Sequence, residues 1–173
     1  MLSHLAGEHL KDLSESEWEA FHARMEDSWT YWLDDCETFA EYIHHARRKG
    51  TVIFALKLNA DWVGFLAFLY DTQRSMWIME YMVTKDKRGM GMSKLILPTV
   101  SHAFESLGKK LGLGLRGNNE IAQLAAHKAL GVEFPEASPD TLFIIDLVPW
   151  TWGPRYHISD QLVVSITTDL VKY

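Results

Sequence analysis

Within the 173 residues of this chain, one short stretch carries residue types at a spacing that chemistry can use: Lys85-Asp86-Lys87-Arg88-Gly89-Met90-Gly91-Met92-Ser93. Strand-like residues precede it and a helical pattern follows. Glycines at a strand-to-helix turn let the backbone approach a ligand closely. The first N–H groups of a helix lack internal partners and carry the positive end of its dipole, which suits a phosphate or pyrophosphate. Lys85, Lys87, Arg88 and Lys94 add local positive charge to a chain whose formal net charge is -6. The spacing therefore predicts a phosphorylated cofactor at the helix N-terminus. The plainer reading is a glycine-rich turn with no ligand.

The elements that must position this stretch follow from periodicity. Ser14 and Glu17 form a capping-box pattern, and Trp18, Phe21 and Met25 recur at helical spacing behind it. A second helix is expected after Asp34 and Asp35, with Phe39, Ala40, Ile43 and Ala46 as its inner stripe. Arg47, Arg48 and Lys49 suit its C-terminal end and Gly50 its stop. Thr51 to Leu58, Trp62 to Tyr70 and Met76 to Thr84 read as three strands with short connections, an antiparallel meander. A helix from Met92 to Leu107 follows, although Pro98 inside it should kink it or remove one backbone bond. Leu111 to Arg116 is a glycine-laden strand completing a crossover. Asn118 or Asn119 caps a helix reaching Leu130, stopped by Gly131. Leu142 to Val148 and Leu162 to Val171 read as two more strands, a C-terminal hairpin. The fold class is α+β with a mixed central sheet flanked by helices.

Composition narrows the classes. The chain is 47% hydrophobic and 23% charged, as in ordinary globular proteins, so a disordered or collagen-like chain is excluded. An acidic balance argues against binding nucleic acid, which needs basic excess to neutralise phosphates. Cys36 is the one cysteine, so no intrachain disulfide is possible. No metal is expected: His44-His45 has no partner at ligand spacing. Met1-Leu2-Ser3-His4-Leu5 has no basic n-region, so no signal peptide is expected, and no apolar run reaches the roughly 18 residues of a membrane helix. A cytoplasmic protein without membrane contact is the resulting expectation.

Two familiar phosphate motifs do not fit. The P-loop needs G-x-x-x-x-G-K-[ST]. The dinucleotide fingerprint needs a third glycine and a preceding parallel strand. Arg88-Gly89-Met90-Gly91-Met92-Ser93 instead resembles the R-x-x-G-x-G/A signature of the GNAT superfamily, the acetyl-CoA-dependent N-acetyltransferases, with Ser93 where Gly or Ala is usual. Val83 stands five residues before Arg88, as in the common V-x-x-x-x-R-G-x-G pattern. The element order matches over roughly Thr51 to Tyr173. Asn119, Ala122 and His127-Lys128-Ala129-Leu130-Gly131-Val132 stand for the family's second motif, with His127 at the Tyr position and Val132 at the Phe position. The spacing from Asn119 to Gly131 is one residue longer than in the family, and the family's first strand is not evident.

The resemblance implies a single domain over 1–173: a helical N-terminal region over 1–50, the meander over 51–84, a CoA-binding segment over 85–131 and a hairpin over 132–173. It implies that amides of Arg88, Gly89, Met90, Gly91, Met92 and Ser93 hold the pyrophosphate of acetyl-CoA. Tyr81, Met82 and Val83 would pair with the pantetheine arm, and Asn119 would lie beside it. The acyl group would lie between the splayed strands Met76–Thr84 and Leu111–Arg116. An amine would attack the thioester directly, in a ternary complex, with Glu80 as base and His127 as the acid, or Tyr156, His157 or Tyr173 in its place. Plainer readings are a solvated Glu80, a polar helix-face His127 and an Asn119 that only caps. Trp29, Tyr31, Trp32, Asp34 and Asp35 would line the acceptor site, aromatic faces and carboxylates suiting a cationic amine of a small molecule or protein. Two alternatives remain: a CoA-binding module without chemistry, and a protein-interaction domain or homodimer using the hairpin with Trp150, Trp152 and Tyr156.

Overall fold

The computed structural model describes residues 4–29, 36–149 and 157–173. Six strands form one sheet in chain order: β1 (Leu5–His9), β2 (Val52–Leu58), β3 (Asp61–Asp71), β4 (Met76–Val83), β5 (Leu111–Arg116) and β6 (Leu142–Asp146). All neighbours are antiparallel except β4 and β5, which are parallel. The expected meander is β2–β3–β4, and the crossover between β4 and β5 is α3 (Met92–Ser106). Pro98 lies buried inside α3, and the helix runs through it without ending.

α1 (Glu15–Ser28) begins with the expected capping box, Ser14 and Glu17 each bonding the other's backbone. The carboxyl of Glu17 is held below its usual pKa chiefly by the Ser14 amide. α2 (Phe39–Lys49) starts later than the acidic pair suggested: Thr38 is its cap, and Glu26 of α1 accepts the amides of Phe39 and Ala40. Gly50 ends it in the left-handed conformation. α4 (Glu120–Leu130) is capped by Asn119, whose side chain accepts from the Ala122 amide.

The sheet divides the core in two. One layer packs Phe21, Met25, Phe39, Tyr42 and Ile43 of α1 and α2 against Phe65 and Met82. The other packs α3, α4 and a last helix, α5 (Asp160–Leu170), against Phe54, Leu66, Met79 and Leu113. Alternation along β4 sends Met82 to the first layer and Met79 and Val83 to the second. β3 bulges where Leu56 and Lys57 of β2 face Gly64 and Trp62. A Cβ at Gly64 would lie 2.1 Å from the Met82 carbonyl oxygen, so only glycine lets β3 pass β4 there.

Two expectations are corrected. Leu162 to Val171 is not a strand, so the C-terminal hairpin over 132–173 is not formed; β6 is followed instead by α5. Leu162, Ile166 and Leu170 recur every fourth residue as a fully buried stripe, and Ser159 caps the helix by accepting from the Leu162 amide. The β-branched residues between them lie on the helix flanks. The first strand, not evident in the sequence, exists as β1 beside β2. Gly7 makes room for α5: a Cβ there would stand 2.8 Å from Leu162 Cδ1. Among the described residues, no helix is long and apolar enough to cross a membrane.

Candidate functional site

The parallel pairing of β4 and β5 is short. It registers Trp77 with Leu111, Ile78 with Gly112 and Met79 with Leu113, and then stops. Beyond that point the strands part, and a cleft of about 510 Å³ opens between Glu80–Val83 and Gly114–Arg116. The Trp77 amide donates to Lys110, so Trp77 faces β5. The same alternation turns the N–H and C=O of Tyr81 into the gap. The cleft is roofed at one end by the loop before α3 and flanked by α4.

That loop presents bare backbone at the head of α3. Gly89 (φ 76°) and Gly91 (φ 81°) are left-handed, which glycine alone adopts at little cost. Nothing stands within 4 Å of where either Cβ would be, so the backbone is open on that side. Gly91 is the N-cap of α3 and supplies no side-chain hydrogen bond to the first turn. Lys87, Arg88, Ser93 and Lys94 line the cleft here. Met90, 53% exposed, has its side chain outside the cleft walls.

The Arg88 side chain braces the loop. Its Nε donates to the Val83 carbonyl and its Nη2 to the Ser28 carbonyl, both at 3.0 Å. Partial removal from water lowers its pKa from the usual arginine value. Three more contacts bind the loop to the last turns of α1. Arg24 donates to both oxygens of Asp86, the Lys85 amide donates to Ser28 Oγ, and Lys85 Nζ lies 3.1 Å from Asp27. The carboxyl of Asp86 is held below its usual range, first by the Thr84 hydroxyl and then by Arg24.

Glu80 is half-buried in the cleft wall, on the face of β4 that meets α2, as strand alternation with Met82 and Ile78 requires. Tyr42 of α2 donates its hydroxyl to Glu80 Oε2 at 3.5 Å. Tyr81 points to the opposite face, its hydroxyl 2.7 Å from Ser93 Oγ. Burial pushes its phenol pKa up and the Ser93 bond opposes that shift. The Ser93 hydroxyl thereby ties the first turn of α3 to β4. Asn119 also lines the cleft while capping α4.

His127 is not brought to the cleft. Its Nδ1 lies 2.9 Å from the Val132 carbonyl oxygen and 3.6 Å from Glu133. Trp29 is packed against Phe39, Tyr42 and Phe65 and donates its Nε1–H to the Cys36 carbonyl. Tyr31, Trp32, Asp34 and Asp35 lie outside the described residues, as do Trp150, Trp152 and Tyr156. His157 is exposed, and Tyr173 packs on Trp77 at the far end of β4. Among the described residues, no group of three or more His, Cys, Asp or Glu is placed to hold a metal.

Sequence reasoning missed Tyr42, which holds Glu80, and also Gly114 and the α4 face of Ile121, Leu124, Ala125 and Lys128, which line the cleft. The helical spacing of that face was readable behind the Asn119 cap. Ile121 and Leu124 are 67% and 54% exposed, large apolar groups with no protein neighbour to cover them fully.

Strands that part beside a helix tip capped only by a glycine, with a carboxylate in the wall, are an arrangement suited to acyl transfer. Residues 10–132 match the family model described as the acetyltransferase (GNAT) family, and the chain belongs to that family. Solved structures of similar fold include N-acetyltransferases. A spermidine N-acetyltransferase SpeG chimera from Vibrio cholerae and hSSAT is 13% identical, with TM-score 0.54, over 83% of this chain and 96% of that one. The Salmonella typhimurium acetyl transferase that modifies the N-terminal serine of 50S ribosomal subunit protein L7/L12 is 15% identical, with TM-score 0.56, over 81% and 90%. The GNAT domain of S. lividans PAT is 9% identical, with TM-score 0.57, over 82% and 89%. No curated protein matches the chain in sequence.

Proposed function

We propose that this chain transfers an acetyl group from acetyl-CoA to an amine, acting as a single domain over 1–173. The observation that carries the reading is one cleft holding both an open anion cradle at Gly89–Gly91 and the Glu80 carboxylate. The residues fit acetyl-CoA. The amides at the start of α3 suit a diphosphate, with Lys87 and Lys94 beside them to offset its charge. The main-chain N–H and C=O of Tyr81, turned into the gap, suit an amide-bearing arm laid along β4 like an added strand. Ile121 and Leu124 would cover the arm's apolar side.

Bound acetyl-CoA would supply the thioester and the leaving thiolate. Glu80 takes a proton from the incoming ammonium, directly or through water, and Tyr42 holds the carboxylate in position. As the C–N bond forms and the C–S bond breaks, the second proton that the nitrogen sheds passes through solvent to the departing thiolate, so the protons balance. The acceptor is an amine of a small molecule or of a protein; the neighbours include enzymes named for each kind.

A second reading, a CoA-binding module without chemistry, is favoured by one observation: His127 is engaged at Val132 and not at the cleft. One experiment separates the two. The protein is titrated with CoA by calorimetry and assayed for thiol release from acetyl-CoA over a panel of amines. Binding with turnover is expected. Binding without turnover on any amine supports the module, and no binding overturns both.

A further inference from the structure

The cleft ends at a vertex whose chemistry is specific. In the register set by Ile78–Gly112 and Met79–Leu113, the next residues along, Glu80 and Gly114, face each other across the first step of the gap. Gly114 has no side chain, yet the room beside it is taken. A Cβ there would stand 3.0 Å from Ile78 Cγ2 and 3.7 Å from Leu142 Cδ1. At Gly112, two residue pairs deeper, a Cβ would stand 2.7 Å from Ile144 Cγ2, 2.9 Å from Met76 Cε and 3.4 Å from Ile78 Cδ1. Ile78 therefore fills the corner directly below Glu80, reaching towards both glycines. Carbon atoms in contact need about 3.5–4.0 Å, so no further methyl group fits between Ile78 and Gly114.

An acyl-CoA arm anchored at the start of α3 runs down the gap towards this vertex, and the acyl group is the arm's tip. We infer that Ile78 and Gly114 set the length of the acyl group, admitting acetyl and rejecting chains of four carbons or more. The inference rests on the acyl-CoA reading of the cleft. Ile78 acts by occupying the space beside Gly114, which closes the vertex just below the level of Glu80.

The test is equilibrium binding, which needs no acceptor. Wild-type protein and Ile78→Ala are titrated by calorimetry with CoA, acetyl-CoA and butyryl-CoA. One methylene in a fitted pocket is worth about 10–200-fold, so butyryl-CoA should bind wild type at least about tenfold more weakly than acetyl-CoA. Ile78→Ala should bring the two within about threefold, the change that removing three carbons at the corner allows. If Ile78→Ala does not fold, judged by circular dichroism, Ile78→Val with propionyl-CoA against acetyl-CoA reads the same effect. Equal binding of acetyl- and butyryl-CoA by wild type, or an unchanged ratio in the variant, overturns the inference and leaves the acyl-CoA reading standing. Failure of wild type to bind free CoA overturns that reading and this inference with it.

Discussion

Glu80 sits where β4 and β5 part, and its surroundings are arranged to keep it there. Its backbone is locked to Ala67 of β3, and its carboxylate accepts from Tyr42 across the layer of α1 and α2. Glu80→Gln keeps the shape and removes the carboxylate that the proposed mechanism uses as base. The acetyltransferase rate at pH 7 should fall about 10²–10⁴-fold, while the calorimetric affinity for CoA stays within error. Loss of affinity equal to the loss of rate would show that Glu80 only holds the cleft together. The acidic residue three places before Val83 was legible because strand parity fixes its face. Its partner Tyr42 was not, since a contact between helix and strand across 38 residues leaves no mark in local spacing. Arg88 shows the reverse limit. Its place in the glycine motif was plain, but its side chain reaches back to Val83 and Ser28, a brace that residue type alone does not distinguish from a phosphate contact. His127 stood at the expected chain position, yet the helix turn aims it at Val132.

At the level of elements, periodic segments were readable and marginal ones were not. β2, β3 and β4 lie within a residue or two of the expected strands, because buried strands rich in β-branched and aromatic residues have few alternatives. β1 escaped notice because Leu-Ala-Gly-Glu-His has neither length nor alternation; it is a strand because β2 and α5 cover it. α5 was misread because Val, Ile and Thr dominate it, though Leu162, Ile166 and Leu170 keep helical time. Tertiary packing outweighed propensity. Ser159 is the pivot. Buried, it accepts from the Leu162 amide, donates its hydroxyl to the Leu5 carbonyl, and donates its amide to Thr99 Oγ1. One residue thus joins β1, α3 and α5. Ser159→Ala should cost about 1–3 kcal/mol, through the lost cap and an unpaired buried carbonyl, measured by urea unfolding. A change under about 0.5 kcal/mol would show that α5 does not depend on this junction.

For the molecule as a whole, the sheet separates two apolar layers, and the loop before α3 is tied to the first of them by charge. Asp86 is the pH-sensitive member of that tie. Its folded pKa is depressed, so its contribution is present above the ordinary aspartate value and is lost as pH falls through the folded one. Thermal unfolding followed from pH 7 downward should show wild type above Asp86→Asn, with the gap closing in the range below about pH 4. A gap that stayed constant with pH would remove the carboxylate from the account.

The clasp between α1 and the α3 loop has a mechanical meaning. Arg24, Asp27 and Ser28 hold one side of it, while Lys85, Asp86 and Arg88 hold the other. Any displacement of the loop at the head of α3 must break these contacts or carry the end of α1 with it, so the two are mechanically coupled.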